Sequence, residues 1–358
     1  MNRSQITHFR LWNQQIAHPR LATAGEVVAA LGAMQAQDYT GTCWAIGLRL
    51  PVATAATIEQ AIADRTIIRT WPMRGTLHFV AAADVRWMLE LLTPRVLAGS
   101  AGRLRQLDLD AATITRSGDV IARALEGGVQ LSRSAIFDEL ARAGIATAGQ
   151  RGYHILAQLG QQGLICFGVH EGKQPAFALL DAWAPHAKRL ERDEALAELT
   201  ARYFTSHGPA ALQDFVHWSG LKISDAKTGL ALAATRLAEA VIGGVTYWMA
   251  PSTPAASDAA IGVYLLPGFD EYLLGYRDRC AALDPQHAQR VIPGGNGVFH
   301  STIVIDGRIA GVWKRIVKKN SLHITLEPFK PLSEIEQAGV AAAVERYGRF
   351  MELPVRLM

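Results

Sequence analysis

LSRSAIFDELARAGIATAGQRGYHILAQLGQQGLICFGVHEGKQPAFALLDAW, residues 131–183, is the stretch on which the fold turns. Its first part opens with Ser132 or Ser134 as a helix N-cap, because a hydroxyl there can accept from the free N–H groups of the first turn. Ile136, Phe137 and Leu140 then recur at helical spacing, and Gly144 ends the run. Residues 149–163 give a second helix with Ile155, Leu156 and Leu159 on one face, and residues 164–183 read as two strands around the turn His170-Glu171-Gly172-Lys173. With residues 113–127 as a leading helix, the order helix, helix, hairpin is that of a winged helix. Many other α+β proteins share this order.

Working outward, the plan repeats. Residues 5–16, 24–34 and 57–64 read as helices, and IIRTWPMRGTLHFVA, residues 67–81, as strand, turn, strand. A fainter copy has helices at 193–206, 210–219 and 224–240 followed by VTYWMA. Gly208-Pro209 marks an internal boundary and PSTPAASDAA, 251–260, a linker. Beyond it the period falls to two: residues 261–276, 297–306, 307–316 and 322–328 read as strands, with Asp306-Gly307 as a tight hairpin turn, and a helix over 333–349 closes the chain. The expected fold is therefore α+β, with three tandem winged-helix units (1–100, 101–188, 189–250), a linker (251–260) and a small C-terminal β-barrel-like domain (261–358).

Composition is consistent with folding throughout. Of the 358 residues, 49% are hydrophobic and 19% charged, enough apolar material for several cores. Cys43, Cys166 and Cys280 are odd in number and far apart, which argues against a disulfide framework or a structural zinc site, so no metal or other cofactor is expected. The first residues carry no basic-then-apolar leader, and no apolar run reaches the roughly 18 to 20 residues of a membrane span; a cytoplasmic protein, monomeric by default, is the expectation. The net charge is only +4, but it is segregated. Seven arginines between Arg65 and Arg105 face only Asp84 and Glu90, and eight basic residues from Arg277 to Lys319 face only Asp278, Asp284 and Asp306. The rest of the chain is net acidic, a distribution that suits a polyanion lying across two parts of the fold, although chance clustering on a solvated surface gives the same count.

Several enzyme classes lack their motifs: there is no nucleophile elbow, no Walker loop, no H-E-x-x-H, and Gly294 to Gly297 reads as a turn. The lone histidines His154, His217 and His300 read as packing residues, and His78 is kept as a candidate because it follows an arginine-bearing turn. The unusual polar feature is Met34-Gln35-Ala36-Gln37-Asp38-Tyr39, at the expected end of an apolar helix. Two amides two residues apart can be directed at one place, yet glutamines after a helix also commonly cap it or face water.

Four segments alter that balance. Gln35-Ala36-Gln37, RGTLH from Arg74 to His78, FDEYLLGYRDR from Phe269 to Arg279, and NGVF with DGRIAGVW between Asn296 and Trp313 resemble, in order, the signature segments of the AlkZ/YcaQ winged-helix DNA glycosylases. The resemblance implies three winged-helix units and a β-barrel forming a concave DNA-binding face, a Gln-apolar-Gln catalytic motif at Gln35 and Gln37, and N7-alkylated purines in double-stranded DNA as substrates, in some members as interstrand crosslinks. One branch carries Gln-apolar-Asp; Gln37 puts this chain in the other. On this reading Gln37 positions the attacking water and Gln35 aligns it or the sugar-phosphate. Asp38 ranks below the two glutamines. Arg74, His78, Arg308, Lys314 and Arg315 are the candidate DNA contacts, and Tyr276, Asp278 and Arg279 read as internal scaffolding. An enzyme acting on DNA in the cytoplasm, associated with the nucleoid when bound, is the leading expectation. A non-enzymatic winged-helix transcription regulator is the alternative, and a protein-binding scaffold fits the segregated charge less well.

Overall fold

Ser132 caps the helix Arg133–Arg142, its hydroxyl accepting from the Ala135 N–H at 3.3 Å. Helix Arg151–Gln161 and the antiparallel strands Ile165–Glu171 and Gln174–Leu179 follow in the expected order. These elements come from a computed structural model that describes residues 3–172, 174–251, 262–295 and 297–358. Lys173 of the expected turn, Asn296 and all of the expected linker except Pro251 lie outside the described residues.

By packing, the chain divides into two units: Met1–Ile58 with Leu196–Trp218 and Lys222–Met358, and Glu59–Ala195 with Ser219–Leu221. This is a division by contact, whereas the expected repeats are a division by element order.

In the second unit, strands Ile67–Met73 and Thr76–Ala81 form a hairpin whose turn residues, Arg74 and Gly75, both have positive φ (55° and 71°), the geometry of a tight two-residue turn. Arg69 pairs with Phe167, so this hairpin joins the Ile165–Glu171 and Gln174–Leu179 hairpin edge to edge in one sheet, ended by Leu131–Ser132. Reading each hairpin as a separate wing had not anticipated that join. One apolar core lies beneath, in which Trp71, Ile114, Ile136, Ile155, Leu159 and Phe177 are all buried.

In the first unit, Thr23 and Glu26 form a reciprocal capping box on helix Ala24–Leu31. That helix was expected to run to Met34; instead Gly32 adopts φ 80° and the backbone becomes the strand Ala33–Gln35. Helix Tyr39–Leu48 was not foreseen, because eight of its ten residues are buried and no polar face marks its period. The helix expected over 224–240 stops at Ala233, and Ala238–Ile242 pairs with Val245–Met249 as a complete hairpin. Residues 269–276, expected in a strand, form instead a short helical turn, Glu271–Leu274, capped by Asp270.

The C-terminal sheet runs in the order Val263–Leu266, Thr302–Ile305, Arg308–Lys318, Ser321–Pro328, Val355–Leu357, the last pair parallel. Asp306 and Gly307 make the expected turn at φ 49° and 75°. Helix Glu334–Met351 begins in a capping box of Ser333 and Glu336 and packs Tyr347 and Phe350 on Trp44, and Tyr347 on Trp313.

A methyl group on Gly160 would lie 2.5 Å from the Trp71 ring. Gly160→Ala is therefore expected to lower the unfolding free energy by about 1–3 kcal/mol, although alanine is the better helix former. Combining it with Trp71→Leu should cost less than the sum of the two single changes, as read by urea denaturation.

Candidate active site

Gln35 ends the strand Ala33–Gln35, and Gln37 follows in a bend rather than at a helix end. The two amides are placed differently: the Gln35 side chain is nearly enclosed, with the residue 8% exposed, while Gln37 is exposed. Beside Gln35 runs a crevice lined by Met34, Thr42, Phe269 and Glu271 that holds no space for a water molecule. Gln37, by contrast, is open to solvent.

The backbone of this segment is held from below. The Gln35 N–H donates to Glu271 Oε1 at 3.2 Å, and the Thr42 hydroxyl lies 2.7 Å from Gln35 O and 2.9 Å from Asp38 O. Glu271 is 1% exposed, and its Oε2 accepts from Trp218 Nε1 at 2.9 Å with His207 Nε2 3.4 Å away. The preceding residue, Asp270, accepts both terminal nitrogens of the fully buried Arg49 at 2.8 and 2.9 Å. Gln14 links the two halves, accepting from Arg49 and donating to the Tyr276 hydroxyl, which itself donates to His207 O.

Asp38 is fully engaged. Its side chain accepts from the Gly41 N–H at the start of helix Tyr39–Leu48, and both of its oxygens lie 2.8 Å from Arg315 Nη2. A carboxylate so held supplies a fixed ion pair beside Gln37, not a free base.

Of the expected cations, Arg315 meets the glutamine segment through its pairing with Asp38. Lys314, adjacent on the strand and so facing the other way, pairs with Glu327 at 2.6 Å. Arg308 is exposed at the far end of the same strand, roughly 23 Å along it at about 3.3 Å per residue. Beyond Arg315 the tip is open, with Ile316, Val317, Lys318 and Lys319 all exposed. Arg74 and His78 lie in the second unit. His78, expected to touch DNA, has no exposed surface: its Nδ1–H donates to Thr76 O at 3.0 Å and Nε2 accepts from Arg74 at 3.3 Å. Burial, then the Arg74 charge, holds its imidazole well below the usual range, so it is a neutral prop for Arg74.

Tyr276 is scaffolding, as its sequence suggested; Asp278 is spent locally, accepting from the Cys280 N–H, and Arg279 Nε donates to Leu273 O. The sequence reading missed Arg49, His207, Trp218, Asp270 and Glu271. Two adjacent acids in the apolar run Pro267 to Tyr276 were the available signal, since carboxylates in such a run are normally buried and paired.

A family model described as DNA glycosylase AlkZ-like matches residues 28–350. The chain belongs to that family. Its match contains the whole glutamine segment, the Asp270–Glu271 turn and the Arg315 strand. An interstrand DNA cross-link repair glycosylase of Streptomyces sahachiroi is 27% identical over 99% of this chain and 98% of its own length. The solved structure of Streptomyces sahachiroi DNA glycosylase AlkZ superposes with a TM-score of 0.80 at 23% identity, covering all of both chains, which gives this AlkZ-like protein the same mixed α+β fold. Among the described residues no helix is long and apolar enough to cross a membrane.

Two outcomes test the interior of the site. Glu271→Gln leaves one oxygen to serve several donors and should cost about 1.5–3 kcal/mol, the worth of a hydrogen bond to a charged group; an unchanged urea midpoint would show that the Gln35 strand does not depend on it. His78 has a folded-state pKa below its unfolded value of about 6.5. Its contribution to stability is thus complete above that pH and is lost as pH falls through the folded value. Urea midpoints at pH 7.5, 6.5 and 5.5 should fall less steeply for His78→Gln than for the wild type.

Proposed function

We propose that this chain hydrolyses the N-glycosidic bond of N7-alkylated purines in duplex DNA, unhooking interstrand crosslinks joined through such bases, with the water held by Gln37. On the same reading its elements form three winged-helix units, bounded near residues 100, 188 and 250, and a C-terminal barrel-like domain. The observation that carries the proposal is the pairing of an exposed amide at Gln37 with a neighbouring carboxylate, Asp38, both of whose oxygens are occupied by Arg315.

An N7-alkylated purine is already cationic. When C1′–N9 breaks, the bond's electron pair neutralises the departing base, so no strong general acid is needed. The remaining work is to support an oxocarbenium-like sugar and bring water to C1′. Gln37 orients that water through its amide oxygen, Gln35 backs the segment, and the proton released as the C1′–O bond forms passes to solvent. The Arg315–Asp38 pair keeps the loop in place without presenting a free negative charge to the phosphates. The product is an abasic site in an intact strand. Family membership favours this enzyme over the transcription regulator.

The test uses a duplex with one N7-methylguanine and a second crosslinked through guanine N7 atoms, each followed by alkaline cleavage of abasic sites. Gln37→Ala should slow excision by about 10²-fold, the scale of losing one preorganised polar group, while duplex affinity persists; Gln35→Ala should lose activity as well. Excision unaltered in both variants would remove the glutamines from the mechanism, and no release by the wild type from either duplex would return the protein to the regulator class.

A further inference from the structure

Away from the glutamine segment, the first unit contains a recess of about 430 Å³ lined by Trp12, Gln15, Arg20, Arg202, Thr205 and Arg236 among others. Its charge is arranged rather than incidental. Gln15, itself buried, adopts φ 61° after helix Arg3–Asn13, and its amide oxygen accepts from both the backbone N–H and Nε of Arg20, each at 3.2 Å. The Arg20 guanidinium lies 4.8 Å over the Trp12 ring, so its side chain is fixed at the base and along one face while both terminal amino groups have no protein partner among the described residues. Across the recess, Glu198 takes Arg202 at 2.6 Å and Arg236 at 2.9 Å. Burial opposes ionisation of this carboxyl, but the hydrogen bonds from both arginines outweigh it and hold its pKa below the usual range. Three guanidinium groups thus answer to one carboxylate, and the recess keeps an excess of two positive charges.

A flexible surface arginine gives up rotamer freedom to bind an anion; Arg20 has already given it up to Gln15 and Trp12. Planar guanidinium forks match the oxygens of a phosphate, and the indole beside them offers a flat face to the adjoining sugar or base. We propose that this recess seats a phosphate group of the DNA backbone, with Arg20 and Arg236 donating to its non-bridging oxygens. The inference rests on the reading of this chain as a DNA-acting enzyme, but it concerns binding and not bond cleavage. A free phosphate or mononucleotide carries the same chemistry and is the competing source.

The two sources separate in one set of measurements. Affinity for an undamaged duplex is measured between 50 and 200 mM salt for the wild type, Arg20→Ala, Arg236→Ala and the control Arg349→Ala, an exposed arginine of the same unit paired with Glu345. Each recess variant should lower the slope of log K against log salt by about 0.9, the loss of one phosphate contact, and weaken binding alike for all sequences. The control should not change the slope. Excision by the recess variants at saturating DNA should stay within about twofold of wild type, and their urea midpoints should match it, excluding a folding defect. Slopes equal to the wild type in both recess variants overturn the proposal. So does thermal stabilisation by 10 mM inorganic phosphate or deoxyguanosine monophosphate that is abolished by Arg20→Ala while the DNA slope is unchanged, since the recess would then serve a small molecule. Either result with excision intact leaves the glycosylase reading standing, whereas absent excision in the wild type would fail that reading alone.

Discussion

A single buried carboxylate, Glu271, fixes the segment that carries Gln35 and Gln37. It is almost wholly enclosed and takes hydrogen bonds from the Gln35 backbone and the Trp218 indole, with His207 beside it. A charge taken out of water costs several kcal/mol and is tolerated only when donors surround it. Here the donors come from parts of the sequence more than fifty and more than two hundred residues away. The penalty thereby becomes a constraint: the strand Ala33–Gln35, the helix Leu212–Ser219 that carries Trp218, and the turn Glu271–Leu274 must all be in place for the carboxylate to be satisfied. Asp270 extends the arrangement, since its pairing with Arg49 ties the same turn to the far end of helix Tyr39–Leu48. The ends of that helix are thus both anchored by carboxylates, Asp38 at its start and Asp270 at its close.

What could be read in advance follows from which forces act locally. The Ser132 cap, the turn at Asp306-Gly307 and the hairpins around Arg74 and in 165–179 are set by residues within a few positions of one another, and their sequence signals were plain. Helix Tyr39–Leu48 was hidden because burial on all sides erases the periodicity by which a helix is recognised. The strand Ala33–Gln35 was hidden for a different reason: three apolar or amide residues after a helix carry no pattern of their own, and only Gly32 marks the break. Helical turn Glu271–Leu274 looked like a strand because its apolar residues are packed on every side, and the Asp270 cap was the cue that distinguished it.

The site was legible to a similar degree. Gln35 and Gln37 could be singled out as a pair, but not their unequal exposure, which depends on a bend at Gln37. His78 could be noticed beside Arg74 but not recognised as buried, with its ring accepting from that arginine. Arg315 was one of several cations on a strand, and nothing in the sequence says that it meets Asp38, a residue 277 positions away.

These placements bear on how a bulky or tethered lesion can be handled. A base crosslinked to the opposite strand cannot be swung into a deep enclosed pocket while the tether remains. The crevice beside Gln35 is too narrow for water, and the exposed amide is the one at Gln37. Chemistry delivered from the surface has to manage without the strong electrostatics of a dry cavity, because water screens every charge that it reaches. A substrate that carries its own positive charge on the leaving group meets that condition, since bond breaking then removes charge and demands little of the surroundings. On the proposed reading, an exposed neutral amide on a backbone held by buried carboxylates suits such a reaction: the enclosed hydrogen bonds and the Arg49–Asp270 pair fix the backbone, while the Gln37 side remains open to solvent.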